Sequence, residues 1–127
     1  MEKKTYILLV DDDEIIRRIF GFELANAGFE VLYAEDGNQG REMARRFQPN
    51  LILMDIHMPV MDGLKASSLM KSEKETKAIP IVLLTNSDLS IEAQKAVKEL
   101  GINDVLHKGI DIKEFIDTVK NIILNSI

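Results

Sequence analysis

Five short apolar runs, each followed by a stretch with helical spacing, constrain this chain more than any other feature. The runs fall at Tyr6–Val10, Val31–Ala34, Leu51–Met54, Ile81–Thr85 and Val105–His107. Several are apolar at consecutive rather than alternate positions, the pattern of strands covered on both faces. The intervening stretches carry apolar stripes at three- and four-residue intervals. One comprises Gly40, Met43, Ala44 and Phe47, another Ala93, Ala96, Val97 and Leu100. The longest comprises Ile112, Phe115, Ile116, Val119, Ile122 and Ile123. Such alternation predicts an α/β fold, a (βα)5 doubly wound parallel sheet with right-handed crossovers and helices on both faces.

Local punctuation agrees. Gly28 and Gly101 stand where helices should end in a left-handed residue, and Pro49 and Pro80 precede the third and fourth strands. Asp111 with Glu114 three residues later has the form of a capping box for the last helix. The third helix is expected over roughly Gly63–Lys74. No linker, repeat or low-complexity segment divides the 127 residues, so one domain over 1–127 is expected.

Composition narrows the function classes. A net charge of −5 disfavours direct nucleic-acid binding, which needs cations to displace phosphate counterions. The absence of cysteine excludes disulfides, thiolate metal sites and thiol nucleophiles. No apolar run is long enough for a membrane span or a signal-peptide core. The expectation is a cytoplasmic protein.

In doubly wound sheets ligands bind beyond the carboxyl ends of the strands, so the residues at those ends matter most. The first strand runs into Asp11, Asp12 and Asp13; the third ends at Asp55, the fourth at Thr85, the fifth at His107 and Lys108. Glu35 and Asp36 end the second, at a sheet edge. Two like charges about 4 Å apart repel by ~4 kcal/mol at the effective dielectric of a protein surface. Carboxylates gathered on one rim therefore call for a cation, and an all-oxygen ligand set suits Mg2+. Individually these residues have plainer roles: Asp13 suits a helix N-cap, Asp55 a turn before Pro59. A carboxylate, a hydroxyl and an ammonium ending different strands of one sheet form a more specific pattern. With no cysteine and no serine–histidine pair, the candidate nucleophile is a carboxylate, and the chemistry it suits is phosphoryl transfer.

The segments "ILLVDDDEIIRR", "LILMDIHMPVMDG", "IVLLTNS" and "VLHKG" resemble, in order and spacing, the receiver domain of two-component response regulators. The likeness covers the whole chain and implies the strand order 2-1-3-4-5. It implies that Asp55 is the phosphoacceptor, and that Asp11, Asp12, Asp55 and the backbone carbonyl of His57 hold Mg2+. Thr85 would be the switch hydroxyl and Lys108 the cation pairing with the phosphoryl group, while Met58, Pro59 and Gly63 shape the loop after the acceptor. His57 and Ser87 would flank the path of hydrolytic water. The implied donor is a sensor histidine kinase or a histidine phosphotransfer protein. The implied output surface is the fourth helix, fifth strand and fifth helix, read by a downstream protein. The chain would catalyse only its own phosphorylation and dephosphorylation.

Three positions depart from the family pattern. Gly109 replaces the proline that usually follows the lysine, so a trans peptide is expected there. Asn86 is larger than the usual residue after the threonine, and Val105 occupies the place of an aromatic that swings during signalling. These departures motivate a second expectation, an adapter that works without phosphorylation. A third, a phosphatase of the haloacid dehalogenase type, rests on the Asp11–Asp13 spacing. It lacks a further acidic motif beyond Asp111 and leaves Asp55 without a role.

Overall fold

Each apolar run becomes a strand in the computed structural model, which describes residues 3–126. The strands are β1 (Tyr6–Val10), β2 (Glu30–Ala34), β3 (Leu51–Asp55), β4 (Ile81–Thr85) and β5 (Asp104–His107). Between and after them run α1 (Glu14–Asn26), α2 (Gly37–Phe47), α3 (Gly63–Ser72), α4 (Ile91–Leu100) and α5 (Ile112–Asn125). All pairings are parallel and the sheet order is β2-β1-β3-β4-β5.

Because successive strand side chains point to opposite faces, β1, β3 and β4 feed two cores at once. Leu8, Val10, Ile52, Met54, Ile81 and Leu83 pack beneath α2 and α3, against Ala44, Ala66 and Met70. Ile7, Leu9, Leu51, Leu53, Val82 and Leu84 meet Phe20 and Leu24 of α1 and Phe115 and Val119 of α5. Phe20 and Phe115 stack with ring centroids 4.6 Å apart, joining the first and last helices. Each such side chain contributes about 1.5–3 kcal/mol on full burial, so this two-sided core dominates the stability of the sheet.

The local signals mostly act as expected. Gly28 (φ 100°) and Gly101 (φ 68°) take positive φ, and Asp111 accepts a hydrogen bond from the Glu114 backbone N–H at 3.2 Å. Asp13, Asp36, Asp62 and Ser90 cap the other four helices in the same manner. Two expectations are corrected. The third helix stops at Ser72, two residues short of Lys74, because the chain turns there through a Thr76 hydroxyl that donates to the Met70 carbonyl at 2.7 Å. Phe47 does not join the core; it stands half exposed beneath the Arg46 guanidinium, 5.6 Å from its ring centroid. The α4 stripe is only half buried, and α4 alone among the helices buries no residue fully.

Candidate functional site

Four strands deliver the acidic rim. The β1 ladder ends at Val10, and Asp11 continues it by donating its N–H to the Ala34 carbonyl at 3.1 Å. Asp11 is fully buried. Its Oδ1 accepts the Asp13 N–H at 2.9 Å, and its backbone carbonyl accepts a hydrogen bond from the Arg17 guanidinium at 2.6 Å. Asp12 faces solvent, while Asp13 turns away and caps α1 by accepting from Ile15 N–H at 2.9 Å. Asp55 is the last residue of β3 and is buried. Carboxylate oxygens of Asp11, Asp12 and Asp55 all lie within 4.8 Å of one another.

Lys108 enters from the loop after β5, held by a hydrogen bond from its N–H to the Thr85 carbonyl at 2.8 Å. Its Nζ lies 2.7 Å from Asp11 Oδ2 and 3.2 Å from Asp55 Oδ1. Lys108 pairs directly with Asp11 Oδ2, and because a carboxylate oxygen offers more than one lone pair, that buried oxygen keeps acceptor capacity to spare. One ammonium thus faces two buried carboxylates and a third exposed one. Burial pushes the Asp55 carboxyl up to about 6, and the Asp11 charge adds to the shift. Lys108 opposes it, and hydrogen bonding with Asp12 favours the protonated form. Burial works against the charge on Lys108, yet Asp11 and Asp55 together hold its pKa above the usual lysine value.

The residue set fits a hard divalent cation. It offers carboxylate oxygens only, with a residual negative charge after Lys108 is counted. His57 lies two residues beyond Asp55, exposed, on the loop to α3.

That loop is tightly built. Gly63 N–H donates to the Ile56 carbonyl at 2.7 Å, and a Cβ on Gly63 would fall 2.1 Å from the Asp55 carbonyl oxygen. Glycine is required for space, so that α3 can start against the backbone of Asp55. Val60 takes φ 67°, closed by the Met61 N–H on the Pro59 carbonyl at 2.6 Å. A three-residue turn with positive φ at a β-branched residue is strained.

Thr85 ends β4, buried, with its hydroxyl engaged elsewhere: it donates to the Ser87 carbonyl at 2.8 Å and accepts the Ser87 N–H at 3.1 Å. The Lys108–Gly109 peptide is trans. The structure thus brings together Asp11, Asp12, Asp55 and Lys108, with Thr85 and Ser87 bonded to each other on the neighbouring loop. Sequence reasoning missed Arg17, which ties α1 to the carbonyl of Asp11. Its only signal was its place one turn into the helix after the acids.

A family model for the response regulator receiver domain matches residues 7–120. The chain belongs to this family. Polar-differentiation response regulator DivK of Brucella ovis is 27% identical over 115 residues, covering 91% of this chain and 93% of its own. A putative response regulator from Chloroflexus aurantiacus superposes with a TM-score of 0.87 at 31% identity, over 96% of this chain and 99% of that one. The receiver domain of sensor histidine kinase PA1611 from Pseudomonas aeruginosa superposes at 0.86 and 28% identity, covering 95% and 98%. That structure has a magnesium ion coordinated in its active-site cleft. This receiver therefore shares with its relatives a two-component signalling domain, and no helix among its described residues is long and apolar enough to cross a membrane.

Proposed function

We propose that this receiver accepts a phosphoryl group on Asp55 from a phosphohistidine of a sensor histidine kinase or histidine phosphotransfer protein. An Asp55 carboxylate oxygen attacks phosphorus in line, the phosphorus–nitrogen bond breaks, and the electron pair leaves with the imidazole. The observation that carries this reading is the placing of Lys108 across Asp11 and Asp55 on a rim of strand ends. Its ammonium is positioned to neutralise an oxygen of the incoming group. Asp11, Asp12 and Asp55, with the His57 carbonyl, would hold Mg2+, which supplies charge neutralisation for the phosphoryl oxygens.

Thr85 is the switch. Its hydroxyl must leave Ser87 to donate to a phosphoryl oxygen, which shifts the loop between β4 and α4. The poorly buried α4 then relays the change to the α4–β5–α5 face, where a downstream protein reads it. Water returns Asp55 to the carboxylate and releases phosphate, with His57 and Ser87 flanking its approach. The chain acts enzymatically only on itself, and we assign it to the cytoplasm.

The donor side is α1. Ile15, Ile19 and Phe22 repeat at helical spacing on its outer face with 65%, 48% and 64% exposure, beginning two residues after the Asp13 cap. The phosphatase reading would need Asp13 free, whereas its carboxylate caps α1. The adapter reading keeps in its favour the departures at Asn86, Gly109 and Val105, the last half buried in place of a swinging aromatic.

The test is incubation with Mg2+ and acetyl phosphate, or with Mg2+ and beryllofluoride. An adduct that disappears in Asp55→Asn supports the assignment; the absence of any Asp55-dependent adduct refutes it. A partner affinity that ignores both beryllofluoride and Asp55→Asn would favour the adapter.

A further inference from the structure

His107, the last residue of β5, makes two hydrogen bonds that reach different loops. Its Nε2 lies 3.0 Å from the Asn86 carbonyl, on the loop after Thr85. Its Nδ1 accepts the Gly109 backbone N–H at 2.9 Å, on the loop that carries Lys108. The two contacts demand the same ring state. A backbone N–H only donates, so Nδ1 must offer a lone pair; the proton of the neutral ring then sits on Nε2, where it donates to Asn86.

Backbone pairing between β4 and β5 reaches the Lys108 N–H on Thr85, and the imidazole carries the connection one residue further along both loops. The ring is exposed and borders an open cleft of about 490 Å3, shared with Thr85, Ser87, Asp88, Gln94 and Val105. Packing therefore does not confine it, and the hydrogen bonds set its position. Gly109 suits this arrangement twice over. It supplies an N–H that a proline would lack, and a Cβ at this position would stand 3.1 Å from Nδ1.

We propose that His107 is a positioning residue, a strut that fixes the Lys108–Gly109 loop against the Thr85–Asn86 loop so that both meet an incoming phosphoryl group as one unit. In this chain the histidine–glycine pair would perform the coupling for which Val105 is too short. The proposal rests on the phosphoacceptor reading of Asp55.

The experiment uses the full chain as wild type, His107→Ala, His107→Gln and His107→Asn. Glutamine can keep the donor toward Asn86, and asparagine the acceptor for Gly109. Three quantities are measured: Mg2+ affinity by titration, the Asp55 phosphorylation rate with acetyl phosphate, and the ring tautomer of wild type by 15N NMR. We expect the Nε2–H tautomer and Mg2+ affinities within twofold of wild type. We expect a phosphorylation rate at least fivefold lower in His107→Ala, partly restored in His107→Gln and His107→Asn. A smaller loss in His107→Ala, no recovery in the amide variants, a Mg2+ affinity that falls with the rate, or an Nδ1–H tautomer would overturn the strut. Failure of wild type itself to gain an Asp55 adduct would instead overturn the phosphoacceptor reading, and the strut with it.

Discussion

Lys108 reaches Asp55 from two strands away, its Nζ 3.2 Å from Asp55 Oδ1, with both side chains only 6% exposed. The same ammonium also serves Asp11, so the pair is not balanced, and the pKa of Asp55 rises to about 6, first through burial and then through the Asp11 charge. The folded protein therefore keeps a proton that the unfolded chain has already released, and folded-state proton binding exceeds unfolded-state binding between about pH 4 and 6. Without Mg2+, the Asp55 contribution to stability should fall as pH rises through that window, by up to about 3 kcal/mol. Lys108 has the opposite bearing on alkaline conditions: its raised pKa contributes stability below the ordinary lysine range that is lost as pH climbs through the folded value. Urea unfolding across pH in chelator, wild type against Asp55→Asn for the first and against Lys108→Gln for the second, checks both. A wild-type stability that does not fall relative to Asp55→Asn from pH 4 to 6 would contradict the first.

Removing the cation should expose the role of the metal. Lys108→Gln leaves Asp11 and Asp55 facing each other without a buried partner, and breaking such a buried pair costs about 3–5 kcal/mol. Saturating Mg2+ should recover most of that loss, so the Mg2+-induced rise in melting temperature should be larger for Lys108→Gln than for wild type. Equal rises would mean that the metal does not occupy the acidic basin.

Gly63→Ala should be severe although glycine there has no positive φ to favour it. The added methyl would meet the carbonyl oxygen of Asp55 at 2.1 Å and the Met54 side chain at 2.9 Å. The carbonyl is backbone of a central strand and cannot withdraw without moving the candidate acceptor. We expect a loss of about 3 kcal/mol and a lower phosphorylation rate, measured by denaturant melts and acetyl phosphate labelling.

Val60→Asn should stabilise the protein. Val60 is 81% exposed, so little packing is lost, while its φ of 67° is far easier for asparagine than for a β-branched residue. A gain of about 1 kcal/mol in urea unfolding is expected. If the strain instead helps to aim the loop after β3, the stabilised variant will also phosphorylate more slowly, which the same preparation can reveal.

Much of the site is legible in the sequence. Asp11, Asp55, Thr85 and Lys108 each follow or end an apolar run, and a parallel sheet places all strand ends on one rim. Asp13 as an N-cap was legible for the same local reason, since a cap needs only its own helix. The end of α3 and the exposure of Phe47 were not. The first depends on the Thr76 hydroxyl reaching back to the Met70 carbonyl, and the second on how the last turn of α2 sits against the sheet, which leaves Phe47 half exposed.

By itself the sequence determined the order of elements, the two-faced burial of the central strands and the residues that stand at the strand ends. Those properties are periodic, and periodicity records which side of each element meets water. Tertiary structure alone decided that one lysine spans two aspartates and that the His107 ring reaches the Asn86 carbonyl on another loop. Such contacts depend on distances of an ångström or less between groups on different strands and loops. No pattern along the chain encodes them until the sheet has set which loop lies beside which.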